Sequence, residues 1–176
     1  MPRYIDKIRV AVRVMMPHEQ PVDGAFALGP QAEFHPGPET LLELLNTHQR
    51  VLPFHRERDA AMLLVTRLDI EWVEPGRGVT DALVWPPAWH VSREERVHVR
   101  LDSGRELSGR ILIELPEELN RASDFLNTPD DFFPLVTTDG VRLVNKSRLS
   151  SMRVFEHSPR PVTYDAGPAT DESATG

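Results

Sequence analysis

The chain repeats itself, and that constrains its fold more than any other feature. Residues 44–73, LLNTHQRVLPFHRERDAAMLLVTRLDIEWV, align without a gap on residues 125–154, FLNTPDDFFPLVTTDGVRLVNKSRLSSMRV. Seven of the 30 pairs are identical: Leu45/Leu126, Asn46/Asn127, Thr47/Thr128, Pro53/Pro134, Arg67/Arg148, Leu68/Leu149 and Val73/Val154. About two would be expected by chance at ~6% identity per position. Upstream, the run from Arg9 to Val14 matches the run from Arg96 to Leu101, and Val22–Phe26 matches Leu107–Ile111. The first copy carries extra residues in its first turn and between Gly24 and Leu45. Length changes confined to turns are what a duplicated fold tolerates. Each copy spans about 65 residues, near the lower limit for an independent hydrophobic core. The two copies are therefore expected to pack together or to oligomerise.

The second copy has the clearer local signals. Val97, Val99 and Leu101 alternate with His98 and Arg100, the period of a half-buried strand. Asp102 to Arg105 is turn chemistry, with Gly104 free to take positive φ. A second alternating run follows from Glu106 to Leu115, and Gly109 inside it marks a bend or bulge of the kind found where strands curl. Pro116 to Asn127 reads as a short helix, Phe132 to Thr137 as a strand and Asp139-Gly140 as a tight turn. Val141 to Asn145 and Arg148 to Phe155 complete about five short strands with one helical element.

Boundaries follow from composition. The copies are expected at residues 5–75 and 93–157, with 76–92 as a linker, because Pro86-Pro87 can neither continue a helix nor pair centrally in a sheet. Trp85 and Trp89 flank those prolines, and either anchor a partner or cover the seam between the copies. Residues 158–176 have few large apolar side chains and are expected to be disordered.

The alternating strand, Leu101, Gly104, Leu107 and Gly109, followed by the segment Val141 to Val154, resemble the two motifs of the Sm-like family of small β-barrels. The resemblance covers residues 96–155 and extends faintly to 9–74; it implies a mainly β chain of two tandem Sm-like barrels. The second copy also looks like small bacterial domains for which a fold is implied and no activity. RNA-binding members of the family carry an Asp and an Asn soon after the glycine-containing strand. Asp124 and Asn127 stand here beyond a helical segment and at shorter spacing, so that pocket is not carried over. The family's basic turn is represented by Asn145, Lys146 and Arg148, and in the first copy by Arg67.

The chemistry the chain offers is sparse. It has no cysteine, which excludes disulfides, thiolate metal sites and a cysteine nucleophile. His48 and His55 lie near Glu57 and Asp59, but without metal-ligand spacing. Glu117-Glu118 and Asp130-Asp131 are adjacent pairs that diverge rather than converge on a cleft, and Asp130-Asp131 reads as a turn. No phosphate loop or nucleophile elbow is present. The expectation is no catalytic residue, no metal and no cofactor: a non-enzymatic, cytoplasmic module without a membrane segment. Its partner is another protein or a second copy, met through strand edges or through Trp85 and Trp89. Single-stranded RNA binding is the alternative, disfavoured by a net charge of −7 that is spread along the chain. A third reading puts a small anionic ligand at Arg67 and Arg148, either of which would otherwise pair with a local acid.

Overall fold

The computed structural model describes residues 6–87, 93–116 and 121–155. The first half consists of β1 (Ile8–Met15), β2 (Val22–Leu28), α1 (Leu41–Leu45), β3 (Val51–Arg56), β4 (Met62–Thr66) and β5 (Trp72–Pro75). The second consists of β6 (Arg93–Leu101), β7 (Glu106–Ile113), α2 (Ala122–Leu126), β8 (Phe132–Thr137), β9 (Gly140–Asn145) and β10 (Leu149–Phe155). A single 3-10 turn separates the fourth and fifth strands of each half, at Arg67–Asp69 and Lys146–Arg148. Among the described residues no helix is long and apolar enough to cross a membrane.

All ten strands join one antiparallel sheet in the order β10-β6-β7-β8-β9-β5-β1-β2-β3-β4. Each half therefore has its strands in the order fifth, first, second, third, fourth. The two small barrels expected from sequence do not close: the fourth strand of each half is not paired with the fifth strand of the same half. The fourth strand of the second half, β9, pairs instead with the fifth strand of the first, β5, placing Trp72 opposite Val144 and Val73 opposite Leu143. One pairing turns two short sheets into a continuous one, with β4 and β10 as its free edges.

Period-two alternation builds the strands. Val10, Val12 and Val14 of β1, like Val97, Val99 and Leu101 of β6, are buried while the residues between them face outward. Gly24 and Gly109 sit where the second strand of each half passes the third: a Cβ would meet the His55 carbonyl oxygen at 2.3 Å in one and the Val136 carbonyl oxygen at 2.5 Å in the other. Only glycine permits that approach. Pro53 and Pro134 each lie just before the register in which the third strand meets the second, so the missing N–H falls outside that ladder.

Two cores result, and they exchange side chains at the join. The first holds Val10, Val12, Val14, Phe26, Leu28, the four leucines of α1, Ile70 and Val73, together with Phe132 and Leu143 from the second half. The second holds Val97, Val99, Leu101, Ile111, Ile113, Phe125 and Phe133, together with Trp72 from the first half. Each fully buried apolar side chain contributes roughly 1.5–3 kcal/mol. The exchange thus couples the two cores. The connection after β5 packs on the first core through Val84, whose carbonyl accepts from Leu42 N at 3.0 Å.

α1 is capped reciprocally: Glu43 N donates to Thr40 Oγ1 at 3.3 Å, and Thr40 N donates to Glu43 Oε2 at 2.8 Å. The preceding loop is tied to it by His35, whose ring nitrogens meet the Pro36 carbonyl at 2.9 Å and Glu43 Oε2 at 3.0 Å. Two acceptors favour the doubly protonated ring. The Pro36 carbonyl and then the Glu43 carboxylate raise the His35 pKa above its ordinary value. Burial alone would raise Glu43, but bonds from His35 and Thr40 outweigh it and hold the carboxyl below its ordinary range.

Candidate functional site

The strand registers establish which positions of the two halves correspond. Val51 faces Thr66 as Phe132 faces Asn145, and Pro53 faces Leu64 as Pro134 faces Leu143. The β3–β4 turn is two residues longer than the β8–β9 turn, so the ungapped alignment slips after it. The structural counterpart of Arg67 is Lys146, not Arg148; that of Asn145 is Thr66; that of Val73 is Met152. The fifth strands agree: β1 and β6 face Gly24 and Gly109 with Val12 and Val97, and two residues on, Val14 faces Val73 as Val99 faces Met152. Arg148 corresponds to Asp69.

Each residue singled out from sequence has a defined place. Buried Arg67 donates from Nη1 to the Leu45 carbonyl at 2.9 Å and to Asp131 Oδ2 at 2.6 Å, and from Nε to the Gln49 carbonyl at 2.9 Å. Its acid is thus Asp131 of the other half rather than a neighbour in sequence. Lys146, its counterpart, donates to the Phe125 carbonyl at 3.0 Å and to Thr128 Oγ1 at 2.5 Å, with its ammonium 5.1 Å from the Phe125 ring centroid. Burial holds the Lys146 pKa below the ordinary lysine value, against the pull of Asp130 and Asp131. Both cations therefore cap the carbonyl end of the short helix in their own half. Fully buried Asn145 donates to the Leu68 and Ile70 carbonyls at 3.0 and 2.9 Å. Arg148 pairs with Asp102 at 3.1 Å. Trp85 is partly buried against the first core, and Trp89 lies outside the described residues.

Arg67, Asp131 and Asn145 thus meet at the β5–β9 seam, with residues that sequence reasoning did not single out. Asn46, the C-cap of α1, clasps the backbone of Phe132: its Nδ2 donates to the carbonyl at 3.1 Å and its Oδ1 accepts from the N–H at 2.8 Å. Arg105, in the β6–β7 turn, donates to buried Glu71 at 2.6 Å and to the Met16 and Glu19 carbonyls at 2.9 and 2.6 Å. Arg142 lies 3.8 Å from Glu74 and over the Trp72 ring. The identity Asn46/Asn127 was the available signal: both are the C-caps of their helices.

The free edges present a different surface. Among the described residues, most large apolar side chains that stand exposed are gathered on them: Val51, Met62, Leu64 and Leu68 beside or on β4, and Val154 and Phe155 on β10. β4 carries no charge and no proline, the usual devices that keep an edge strand from pairing. Away from the edges, a cleft of about 770 Å³ lies beside α1, lined by Phe34, Glu39, Glu43, Asn46, His48 and Asp130 among others. Its carboxylates would repel an anion.

Comparison with known protein families, curated proteins and solved structures finds no match for this chain.

Proposed function

We propose that this chain is a non-enzymatic interaction module, two tandem Sm-like units left open between their fourth and fifth strands, whose free edges β4 and β10 pair with another protein chain. The observation that carries this reading is the gathering of exposed apolar side chains along two bare strand edges. Backbone pairing would supply affinity, and the alternating side chains would supply specificity. RNA binding has less support: Lys146 is engaged by the end of α2, Arg148 by Asp102, and Arg67 and Asn145 lie buried in the seam.

Affinity capture from cell extract tests the reading. Wild type should retain a set of proteins that Met62→Glu/Leu64→Glu or Ser151→Glu/Val154→Glu loses. Retention unchanged by both pairs of substitutions would overturn it. A gel shift with single-stranded RNA that weakens steeply with salt would favour the alternative.

A further inference from the structure

We propose that the outer face of β6, β7 and β10 binds a phosphate monoester, held by the guanidinium groups of Arg96, Arg110 and Arg153. The site lies on side chains of the sheet face and does not depend on the reading of the edges as pairing surfaces.

Positive charge is in excess on this one face of a chain whose net charge is −7. Alternation sends Arg96 and Arg100 of β6, Arg110 of β7 and Arg153 of β10 outward, with Glu94 and Glu106 as the acids among them. Both acids are taken. Glu94 accepts from Arg110 at 2.9 Å, and Glu106 lies 3.4 Å from His98, whose other ring nitrogen is 2.9 Å from Ser108 Oγ. Among the described residues, Arg96 and Arg153 have no acid within ion-pair distance. Each instead stands over the Phe155 ring, 5.7 and 5.9 Å from its centroid.

The placement of Arg96 is unfavourable for the free chain. It is directly opposite Arg110 in the β6–β7 ladder and directly opposite Phe155 in the β6–β10 ladder. Like charges directly opposite in an antiparallel pair are destabilising. An anion gripped by both guanidiniums turns that repulsion into attraction.

The first half shows that the fold does not call for these side chains. In the correspondence of the halves, Ala11 stands where Arg96 stands and Ala25 where Arg110 stands, and they too are directly opposite each other. Glu74 takes the place of Arg153, and Gly76 that of Phe155. The same strands are thus built without one of the four. Three arginines and an aromatic ring added to one half alone mark a task that the other half lacks.

The ligand class follows from the groups present. A phosphate monoester carries nearly two negative charges at neutral pH and three strong acceptor oxygens, which suits the two guanidiniums that lack an acid. A planar guanidinium offers parallel N–H donors to such a group, and contact with the Phe155 ring holds both forks in place beforehand. Beside them is a hollow of about 400 Å³, lined by Arg96, Arg110, Ser108, Thr138, Val97 and Val136 among others. It has room for a small organic group on the two valines, with the hydroxyls of Ser108 and Thr138 near the phosphate.

Titration of the nitrogen-labelled chain with phenyl phosphate, followed by NMR at the arginine side chains and the amides of β6 and β7, tests the site. Saturable shifts centred on Arg96, Ser108 and Arg110 are expected, with a dissociation constant below about 1 mM. Arg96→Gln and Arg153→Gln should each weaken binding about tenfold, the loss of one charge-assisted pair. Arg9→Gln, at an exposed position of β1, should leave binding unchanged. Arg96→Lys keeps the charge without the fork and should recover only part of the loss. Both site positions are exposed, and circular dichroism checks that each variant is folded. Phenyl methyl phosphate, a diester with one charge, should bind at least about fivefold more weakly. A peptide carrying one phosphotyrosine separates two sources of the monoester: tighter binding than phenyl phosphate places it on a protein chain, and equal or weaker binding assigns it to a free small molecule. Equal binding of the diester would overturn the monoester site in favour of a nucleic-acid backbone. Failure of both phenyl phosphate and the peptide to saturate, or binding unchanged in Arg96→Gln/Arg153→Gln, would overturn the proposal outright.

Discussion

The seam between the halves and the two free edges are built from corresponding strands, yet one is among the most buried parts of the molecule and the others among the most apolar exposed parts. At the seam, Leu143 is enclosed in the other half's core, Asn46 clasps a strand backbone, and Arg67 meets Asp131. At the edges, Leu64 and Asn127 hold the matching positions and stand exposed, and Lys146 turns its ammonium to the end of its own helix. Strand order is the same in the two halves, so the difference at these positions follows from having a neighbouring strand.

The largest effect should separate the two leucines. Leu143→Ala removes a fully buried side chain shared with the other half's core and should cost about 2–5 kcal/mol of stability. Leu64→Ala should change stability by less than about 0.5 kcal/mol in the dissociated chain. Denaturant unfolding at low protein concentration measures both. Equal losses would mean that Leu64 is a core residue of its own half and that the comparison fails.

The two asparagines give the next contrast. Asn46→Ala strands a strand N–H and its carbonyl and should cost about 1–2 kcal/mol in unfolding. Asn127→Ala removes an exposed side chain and should change unfolding by less than about 0.5 kcal/mol. Denaturant unfolding reads both, and equal losses would mean that clasping Phe132 contributes nothing at the seam.

The smallest effect concerns the loop before α1, which has no match in the second half. Because the His35 value is raised in the folded chain, its contribution is fully present below about pH 6.5 and is lost as pH rises through the raised value. The Glu43 contribution runs the other way: present above the ordinary carboxyl range, it is lost as pH falls through the depressed value. The tie is therefore complete between the ordinary carboxyl range and the ordinary histidine value. An NMR titration should find His35 above 6.5 and Glu43→Gln should lower it; a His35 value at or below the ordinary one would break the link between loop and helix.

Much of the fold is legible in the sequence because it is written in local alternation. The strand read from Phe132 to Thr137 has those bounds in the structure, Gly104 takes positive φ in its turn, and Gly109 marks the close passage of two strands. The shared strand order of the two halves is anticipated by the matching segments, although the difference in turn length is not. The β3–β4 and β8–β9 turns are both polar and differ by two residues, so a coincidental Arg67/Arg148 identity hides the real correspondence of Arg67 with Lys146. The seam was beyond reach for a different reason. Asn46 and Phe132 lie 86 residues apart, and Arg67 and Asp131 64 apart. Asp131 looks like a turn residue from its neighbours alone, because the charge it answers comes from another part of the chain. Trp85 could have been a partner anchor or a cover, and it packs against the first core.

Edge pairing is tested most directly with a second copy of the chain as the partner, and a chain without cysteine makes the test clean. The register of β9 on β5, transposed to β4 and β10, sets Met62 opposite Val154. Two single-cysteine chains, Met62→Cys and Val154→Cys, are mixed and oxidised, and the disulfide species are weighed by mass spectrometry. Directly opposed positions in an antiparallel pair bring Cβ atoms to about 4.5–5.5 Å, within small adjustments of disulfide geometry. The mixed disulfide, joining the Met62→Cys chain to the Val154→Cys chain, should predominate over both homodimers. Homodimers in statistical proportion, or no cross-link in a protein that is otherwise associated, would contradict it.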